Sequence, residues 1–223
     1  MPAGIRYRMI KAIFFDFDGV IMDSMGLKLD AYCQCLNQFN FTRPDVDRIM
    51  REYMGQSRSK IIEEIYAQLN GSPIPSEVFE KALTAFNQLD DAAREKYPFL
   101  PGSLKFIKAV HADHFTAIVT GTPEEVILKT TACHDLDPYF DAVRGSPARK
   151  PDIIADLLSR HSLTAEESIF IGDGMTDQAA ADHHLIRFVG FDNGESSFNP
   201  TTAWRVVTNL EQLLPTIANE SQT

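Results

Sequence analysis

Length, composition and charge limit what this sequence can encode. The chain has 223 residues, of which 44% are hydrophobic, so it can bury a core and is not a disordered chain. Its net charge of −10 would repel nucleic acids and anionic membranes, and we expect neither as a partner. The three cysteines have no disulfide framework, and there is no apolar run of membrane-spanning or signal-peptide type. These features predict a soluble, cytoplasmic protein.

Four short apolar runs predict buried strands. They are "AIFF" before Asp16, "FTAIV" before Thr120, "SIFI" before Gly172-Asp173 and "IRFV" before Gly190. Continuous apolar runs are typical of parallel strands that are covered on both faces. Helical patterns lie between them: one begins with Thr122 as N-cap and Pro123 at the first helical position, and another begins at Pro151. This alternation predicts an α/β fold with a doubly wound, Rossmann-like parallel sheet.

Residues 25–97 have a different pattern, in which apolar residues recur at helical spacing and no strand is indicated. The run "KIIEEIYAQLN" ends at Gly71, a helix C-cap, and a long amphipathic helix precedes Pro98. We therefore predict an α/β core of residues 1–24 and 98–223, with an all-helical cap domain inserted at 25–97. The acidic pair Asp90-Asp91 is expected on the exposed surface of the cap helices. The pair Glu166-Glu167 is expected on the exposed surface of the α/β domain.

Polar side chains follow three of the predicted strands. Asp16, Thr120 and Asp173 each come directly after an apolar run. In open parallel sheets, ligands bind in the crevice beyond the carboxyl ends of the strands, so these residues are expected to converge on one edge. A single aspartate after a strand is as often a turn former or helix cap, but three separate segments indicate a functional site.

Four short motifs occur in order along the chain. They are Asp16 to Val20 in "DFDGV", Thr120 in "AIVTGT", Lys150 in "ARKPD", and Gly172, Asp173 and Asp177 in "IGDGMTD". Together they resemble the motifs of the haloacid dehalogenase-like hydrolase superfamily, in its phosphatase branch with a helical cap. The first and the fourth are specific when they occur together. The second and the third gain weight from their order and spacing.

The resemblance implies a phosphatase that works through an aspartyl-phosphate. Asp16 resembles the nucleophile, and Asp18 resembles the acid that protonates the leaving group and then the base that activates water. Several carboxylates would repel a phosphate, so a divalent cation is needed to offset their charge, and an all-oxygen site suits Mg²⁺. By resemblance its site contains the Asp16 and Asp173 side chains and the Asp18 backbone carbonyl. Asp177 would hold a metal-bound water or orient Lys150.

Substrate contacts are also implied by the resemblance. Lys150 and the Thr120 hydroxyl would bind the phosphoryl oxygens, together with backbone N–H groups near Gly121. In the cap, Arg58 of "GQSRS" is the candidate for an anionic or hydroxyl-rich part of the substrate, with an ordinary surface arginine as the alternative. The expected substrate is a small phosphorylated metabolite: phosphoglycolate, a sugar phosphate and a nucleoside monophosphate all remain open. A monomer or a homodimer is expected.

The alternative activities differ at particular residues. The dehalogenase branch lacks the second aspartate, so Asp18 favours phosphorus chemistry. The phosphonatase branch uses a cap lysine where this chain has Arg58. The closest alternative is a β-phosphoglucomutase-like phosphomutase, whose cap loop resembles Gly55-Gln56-Ser57-Arg58. However, that mutase pattern has a histidine where this chain has Lys28, and a Glu-Asp pair in place of the spaced Asp173 and Asp177.

Overall fold

The chain divides into two compact units in a computed structural model that describes residues 9–53 and 56–220. One unit contains the residues up to Asp23 and those from Phe99 onward, and the other contains Ser24–Pro98. The strands are β1 (Ala12–Phe15), β2 (Phe115–Pro123), β3 (Ala142–Ser146), β4 (Ser168–Gly172), β5 (Arg187–Phe191) and β6 (Arg205–Val207). The helices are α1 (Met25–Cys35), α2 (Arg43–Glu52), α3 (Arg58–Asn70), α4 (Ser76–Ala93), α5 (Ser103–Val110), α6 (Glu124–Cys133), α7 (Lys150–Arg160), α8 (Met175–His183) and α9 (Leu214–Glu220).

The first unit is built on a parallel sheet with the strand order β3-β2-β1-β4-β5-β6. Every residue of β1 is fully buried, because its alternate side chains enter separate layers. Phe14 packs with Ile153 of α7 and Ala180 of α8, whereas the ring of Phe15 lies 6.0 Å from that of Phe106 in α5. Helices therefore cover both faces of the sheet, and the predicted doubly wound α/β class is confirmed.

Strand order reverses at β1, which lies between β2 and β4. In doubly wound sheets this switch point opens a crevice at the carboxyl ends of the strands. β1 and β4 pair in register, and the backbone N–H of Asp16 continues the ladder by donating to the Ile171 carbonyl at 2.9 Å. The segments that follow these two strands therefore begin side by side.

β2 runs further than the sequence predicts. The strand continues through Thr120 to Pro123, with a shift in its pairing to β3 between Val119 and Pro123. Such an irregularity bends a strand and re-aims its side chains. The predicted N-cap at Thr122 is therefore wrong: Pro123 occupies the N-cap position of α6 and Thr122 still belongs to the strand. The end of β2 can approach β3 closely because residue 145 is a glycine. A Cβ on Gly145 would lie only 2.2 Å from the Thr122 carbonyl oxygen.

The second unit is helical, with α1 to α4 around its own apolar core. Buried side chains from each helix contribute to this core, among them Leu29, Ile49, Ile62 and Phe86. The Ser57 hydroxyl caps α3 by accepting the Lys60 N–H, and Gly71 ends that helix in the left-handed region at φ +73°, as the sequence predicts. No helix within the described ranges is long and apolar enough to span a membrane.

In the first unit, the two points at which the helical segment is inserted lie next to each other. Met22 and Phe99 form an antiparallel backbone bridge. The N–H of Leu100 donates to the Ile21 carbonyl at 3.0 Å, and the hydroxyl of Ser103 donates to the same oxygen at 2.9 Å. These bonds hold the segment before the helical insertion against the segment after it, within the first unit.

Candidate active site

Lys150 lies between two buried carboxylates at the carboxyl edge of the sheet. Its ammonium is 3.0 Å from Oδ2 of Asp16, which follows β1, and 2.5 Å from Oδ1 of Asp177 in α8. Asp177 also accepts the N–H of Gly174 at 3.0 Å, which fixes its carboxylate at the start of the helix. Three separate segments of the chain thus form one buried charged group.

Three carboxylates gather at this edge. Asp16, Asp173 and Asp177 each place a carboxylate oxygen within 4.8 Å of the others, and all three residues are buried. Burial, then the charge of Asp177, raises the pKa of Asp16 to about 7, against the lowering effect of Lys150. Burial and the charge of Asp177 also raise the pKa of Asp173. The cluster is therefore poor in positive charge.

The same cluster acts on Lys150 in the opposite direction. Burial alone would lower the pKa of Lys150, but the charges of Asp16 and Asp177 outweigh it and raise that pKa above its ordinary value. The lysine is accordingly held as a cation. One ammonium faces three carboxylates, so a divalent cation would balance the remaining charge, and an all-oxygen donor set is the kind that Mg²⁺ prefers.

Gly19 makes room for one of these acids. It follows Asp18 in a left-handed conformation at φ +82°, and a Cβ at this position would lie 2.1 Å from Oδ2 of Asp173. Only glycine therefore allows the Asp173 carboxylate to lie against this loop. The Asp18-Gly19 loop and the Asp173 carboxylate therefore lie in close contact.

Asp18 has a partner that the sequence did not indicate. The hydroxyl of Thr122 donates to Oδ2 of Asp18 at 2.7 Å. This contact depends on the irregular end of β2, which keeps Thr122 in the strand instead of at a helix cap. The threonine in "TGT" was visible in the sequence, but its role depends on where β2 ends.

Thr120 and Gly121 lie in the same irregular part of β2. Thr120 is buried and its hydroxyl oxygen accepts the Thr122 N–H at 3.2 Å, while Gly121 is half-buried. Accepting that bond uses a lone pair of the Thr120 oxygen and not its O–H proton. The hydroxyl can therefore still donate to a substrate oxygen.

Arg58 lies in the helical unit, where its guanidinium has partners within that unit. Nη1 donates to Oδ1 of Asn87 at 2.6 Å, Nη2 is 3.6 Å from Oδ2 of Asp90, and the group lies over the Phe86 ring. Only 11% of the side chain is exposed, so it is not an ordinary surface arginine. Its predicted contact with substrate stays a prediction.

Comparisons with known proteins agree with these features. A family model described as haloacid dehalogenase-like hydrolase matches residues 13–191. Phosphoglycolate phosphatases of Vibrio vulnificus and Pseudomonas fluorescens are 28% and 26% identical to this chain; each match covers 93% of the chain, and 96% and 80% of those proteins.

Solved structures share the fold. A predicted phosphoglycolate phosphatase from Haemophilus somnus has a TM-score of 0.81 at 17% identity, covering 96% of this chain and 99% of its own. A β-phosphoglucomutase from Clostridium difficile has a TM-score of 0.78 at 18% identity, covering 96% and 98%. At these identities the solved structures show a shared fold. The family model spans most of the chain and includes the segments of Asp16, Thr120, Lys150 and Asp173. The chain therefore belongs to the haloacid dehalogenase-like hydrolases.

Proposed function

We propose that this protein is a Mg²⁺-dependent phosphatase that hydrolyses a small phosphomonoester through an aspartyl-phosphate on Asp16. The observation that carries the proposal is the pairing of Asp16 with Lys150 at 3.0 Å, beside a second acid, Asp18, two residues along the chain. A carboxylate nucleophile, a cation for the phosphoryl group and a separate proton donor are the parts that a two-step displacement needs.

In the first step, a carboxylate oxygen of Asp16 attacks phosphorus and the bond to the leaving alkoxide breaks. Asp18 gives its proton to that alkoxide, so the alcohol leaves neutral. In the second step, Asp18 takes a proton from water, which attacks the phosphoryl group and frees Asp16. Lys150, the Thr120 hydroxyl and the backbone at Gly121 would bind the phosphoryl oxygens and stabilise their charge.

The cation would be held by the Asp16 and Asp173 side chains and the Asp18 carbonyl, with Asp177 beside them. When bound, Mg²⁺ offsets the negative charge that the carboxylates and the phosphate bring together. The geometry supports this assignment, since Asp16, Asp173 and Asp177 are buried together with a carboxylate oxygen of each within 4.8 Å of the others. Burial, and then the charge of the neighbouring carboxylates, raises the pKa values of Asp16 and Asp173, and a bound cation would favour their ionised forms. Asp16 must be ionised to act as the nucleophile.

A small phosphorylated metabolite is the proposed substrate class. Phosphoglycolate is the first candidate because two relatives of 26–28% identity carry that name, and sugar phosphates and nucleoside monophosphates follow. We propose that the helical unit, Ser24–Pro98, acts as the cap that selects the substrate. The cytoplasmic location and the monomeric or homodimeric state stay predictions from the sequence.

A phosphomutase is the second candidate, favoured by the sequence Gly55-Gln56-Ser57-Arg58. In the mutase pattern the arginine of this loop holds a second phosphate. Here the Arg58 guanidinium is already bonded to Asn87 and lies near Asp90, so part of its donor set and charge is used inside the helical unit. Lys28 in place of the mutase histidine also favours the phosphatase.

The test is phosphate release from a panel of phosphorylated metabolites, with Mg²⁺ and with excess chelator. We expect turnover only with the metal, and Asp16→Asn should abolish it while Asp113→Asn, an exposed acid, should not. Acid quench and mass spectrometry should find a phosphoryl group on the peptide that contains Asp16. Full activity in chelator, or near-normal turnover by Asp16→Asn, would refute the proposal.

A further inference from the structure

A single side-chain amide joins the two loops that carry acids of the candidate site. Asn193 lies in the loop after β5, two residues past Phe191. Its Nδ2 donates to the backbone carbonyl of Gly19 at 2.8 Å and to Oδ2 of Asp173 at 3.0 Å. Both protons of one NH₂ group are thus used to connect the loop after β1 to the acid after β4.

The orientation of this amide is fixed from its other end. Oδ1 of Asn193 accepts the Glu195 N–H at 2.8 Å, which assigns the oxygen and leaves Nδ2 to face Gly19 and Asp173. The same loop also holds the Asp173 backbone, since the Ser197 N–H donates to the Asp173 carbonyl at 2.8 Å. The loop after β5 therefore holds Asp173 through both its side chain and its backbone.

This arrangement has a consequence for the Asp173 carboxylate. An N–H donor on Oδ2 fixes the rotation of the carboxylate and restricts which lone pairs remain for another partner. The space around it is closed on the Gly19 side, where even a methyl group would collide with Oδ2. Hydrogen-bond partners of this kind set the orientation of a metal ligand, and their loss typically weakens metal affinity about 10- to 100-fold.

We propose that Asn193 is a positioning residue that orients Asp173 toward the divalent cation and keeps the Asp18-Gly19 loop against it. This inference rests on the proposed function, which makes Asp173 a metal ligand. A turn-forming role alone would use only Oδ1 and the Glu195 N–H, as the neighbouring Asp192 does with the Gly194 N–H. The two bonds made by Nδ2 are additional to any turn.

The test measures metal binding in the absence of substrate, with Mn²⁺ as the probe and electron paramagnetic resonance as the readout. Asn193→Leu keeps the approximate size and removes the donors; it should weaken Mn²⁺ binding about tenfold or more. Asn199→Leu is the matched control, because Asn199 lies in the same loop and its side chain accepts hydrogen bonds from Thr201 instead of contacting Gly19 or Asp173. It should bind Mn²⁺ as the wild type does.

Wild-type Mn²⁺ affinity in Asn193→Leu would overturn the inference, and so would an equal loss in Asn199→Leu, which would assign the effect to loop order. Asn193→Ala is measured alongside and decides the matter if the leucine variant does not fold, as judged by circular dichroism. If the wild type itself binds no Mn²⁺, the metal dependence in the proposed function fails first. Failure of the inference alone leaves the wild type binding metal and both Asn193 variants unchanged.

Discussion

The Asp18 carboxylate has to release a proton and later recover one, and its contact with Thr122 bears on both steps. The Thr122 hydroxyl donates to Oδ2 of Asp18 at 2.7 Å, which fixes the direction of the carboxylate. We therefore expect Thr122 to support the chemical step.

Substitutions at Thr122 test this role. Thr122→Val keeps the shape and removes the donor, so kcat should fall about 10- to 100-fold, the equivalent of the roughly 1.5–3 kcal/mol of a hydrogen bond to a charged group. Thr122→Ser retains the hydroxyl and should keep most of the activity. Steady-state kinetics with KM measured separately provide the readout. A serine variant as slow as the valine variant would contradict a role for the hydroxyl.

The raised pKa of Asp16 predicts that the stability of the metal-free protein depends on pH. Its pKa is raised from the ordinary 3.8 to about 7, so between these values the folded state holds more protons than the unfolded state. Asp16 contributes its full stabilisation when the pH is below its pKa in the unfolded state. This stabilisation is lost as the pH rises through its pKa in the folded state, about 7. Metal-free wild type should therefore lose stability relative to Asp16→Asn between about pH 5 and pH 8.

Thermal melting in chelator across that pH range provides the measurement. The Tm of Asp16→Asn minus that of the wild type should grow as the pH rises. Adding Mg²⁺ at the upper pH should narrow the difference, since a cation offsets the ionised carboxylates. A difference that stays constant with pH would show that Asp16 does not carry the predicted shift.

The sequence predicted the acids but not the residues that orient them. Asp16, Thr120 and Asp173 follow apolar runs, and burial of those runs in a parallel sheet brings their ends to one edge. Thr122 was assigned to a helix cap because the irregular pairing of β2 with β3 leaves no mark in the local pattern. Asn193 is followed by glycine and resembles an ordinary turn residue, and its bonds to Gly19 and Asp173 span 174 and 20 positions. Such contacts are set by the sheet order.

At the level of elements, α4 carries a buried acid where the sequence analysis expected an exposed one. Asp90 is 3% exposed; its carboxylate is 3.3 Å from the Arg94 guanidinium and accepts the Tyr97 hydroxyl at 2.5 Å. The expectation was wrong for Asp90, and also for Glu167, which is buried and pairs with Lys11. A signal existed in α4, since Asp90 lies four residues after Phe86 on the same buried face.

Asp90 is therefore expected to stabilise the helical unit. Asp90→Ala would leave buried guanidinium groups without this carboxylate, and losing one partner of a buried ion pair costs about 3–5 kcal/mol. Asp91→Ala is the control, because Asp91 also pairs with Arg94 but its side chain is 56% exposed. Urea unfolding followed by far-UV circular dichroism should give a much lower midpoint for Asp90→Ala. Equal midpoints for the two variants would show that the buried group contributes little.

On the scale of the whole molecule, the fold class was the feature that the sequence predicted most completely. The strands β1, β4 and β5 coincide with continuous apolar runs because each is buried on both faces. The short edge strand β6 contains no continuous buried run, because Arg205 and Val206 are exposed. The choice between hydrolysis and transfer is of another kind, since the same core acids serve both reactions.

That choice is decided by the products. With a hexose 1-phosphate and Mg²⁺, we expect free phosphate and hexose, because Lys28 stands where the mutase pattern has a histidine. Coupled assays for phosphate and for hexose 6-phosphate should be run on the same sample. Accumulation of the 6-phosphate without phosphate release would establish the mutase. Release of phosphate from other substrates but not from the hexose 1-phosphate would leave hydrolysis as the activity and exclude this sugar phosphate as a substrate.

The bridge between Met22 and Phe99 holds the two points at which the helical segment is inserted next to each other. Residues that face each other across an antiparallel bridge are about 4.5–5.5 Å apart, a gap that a two-residue turn can close. A chain with residues 23–98 replaced by such a turn would still contain Asp16, Thr120, Lys150 and Asp173. The α/β unit could therefore close its chain without the helical segment, and the carboxylates at the ends of its strands would stay in place.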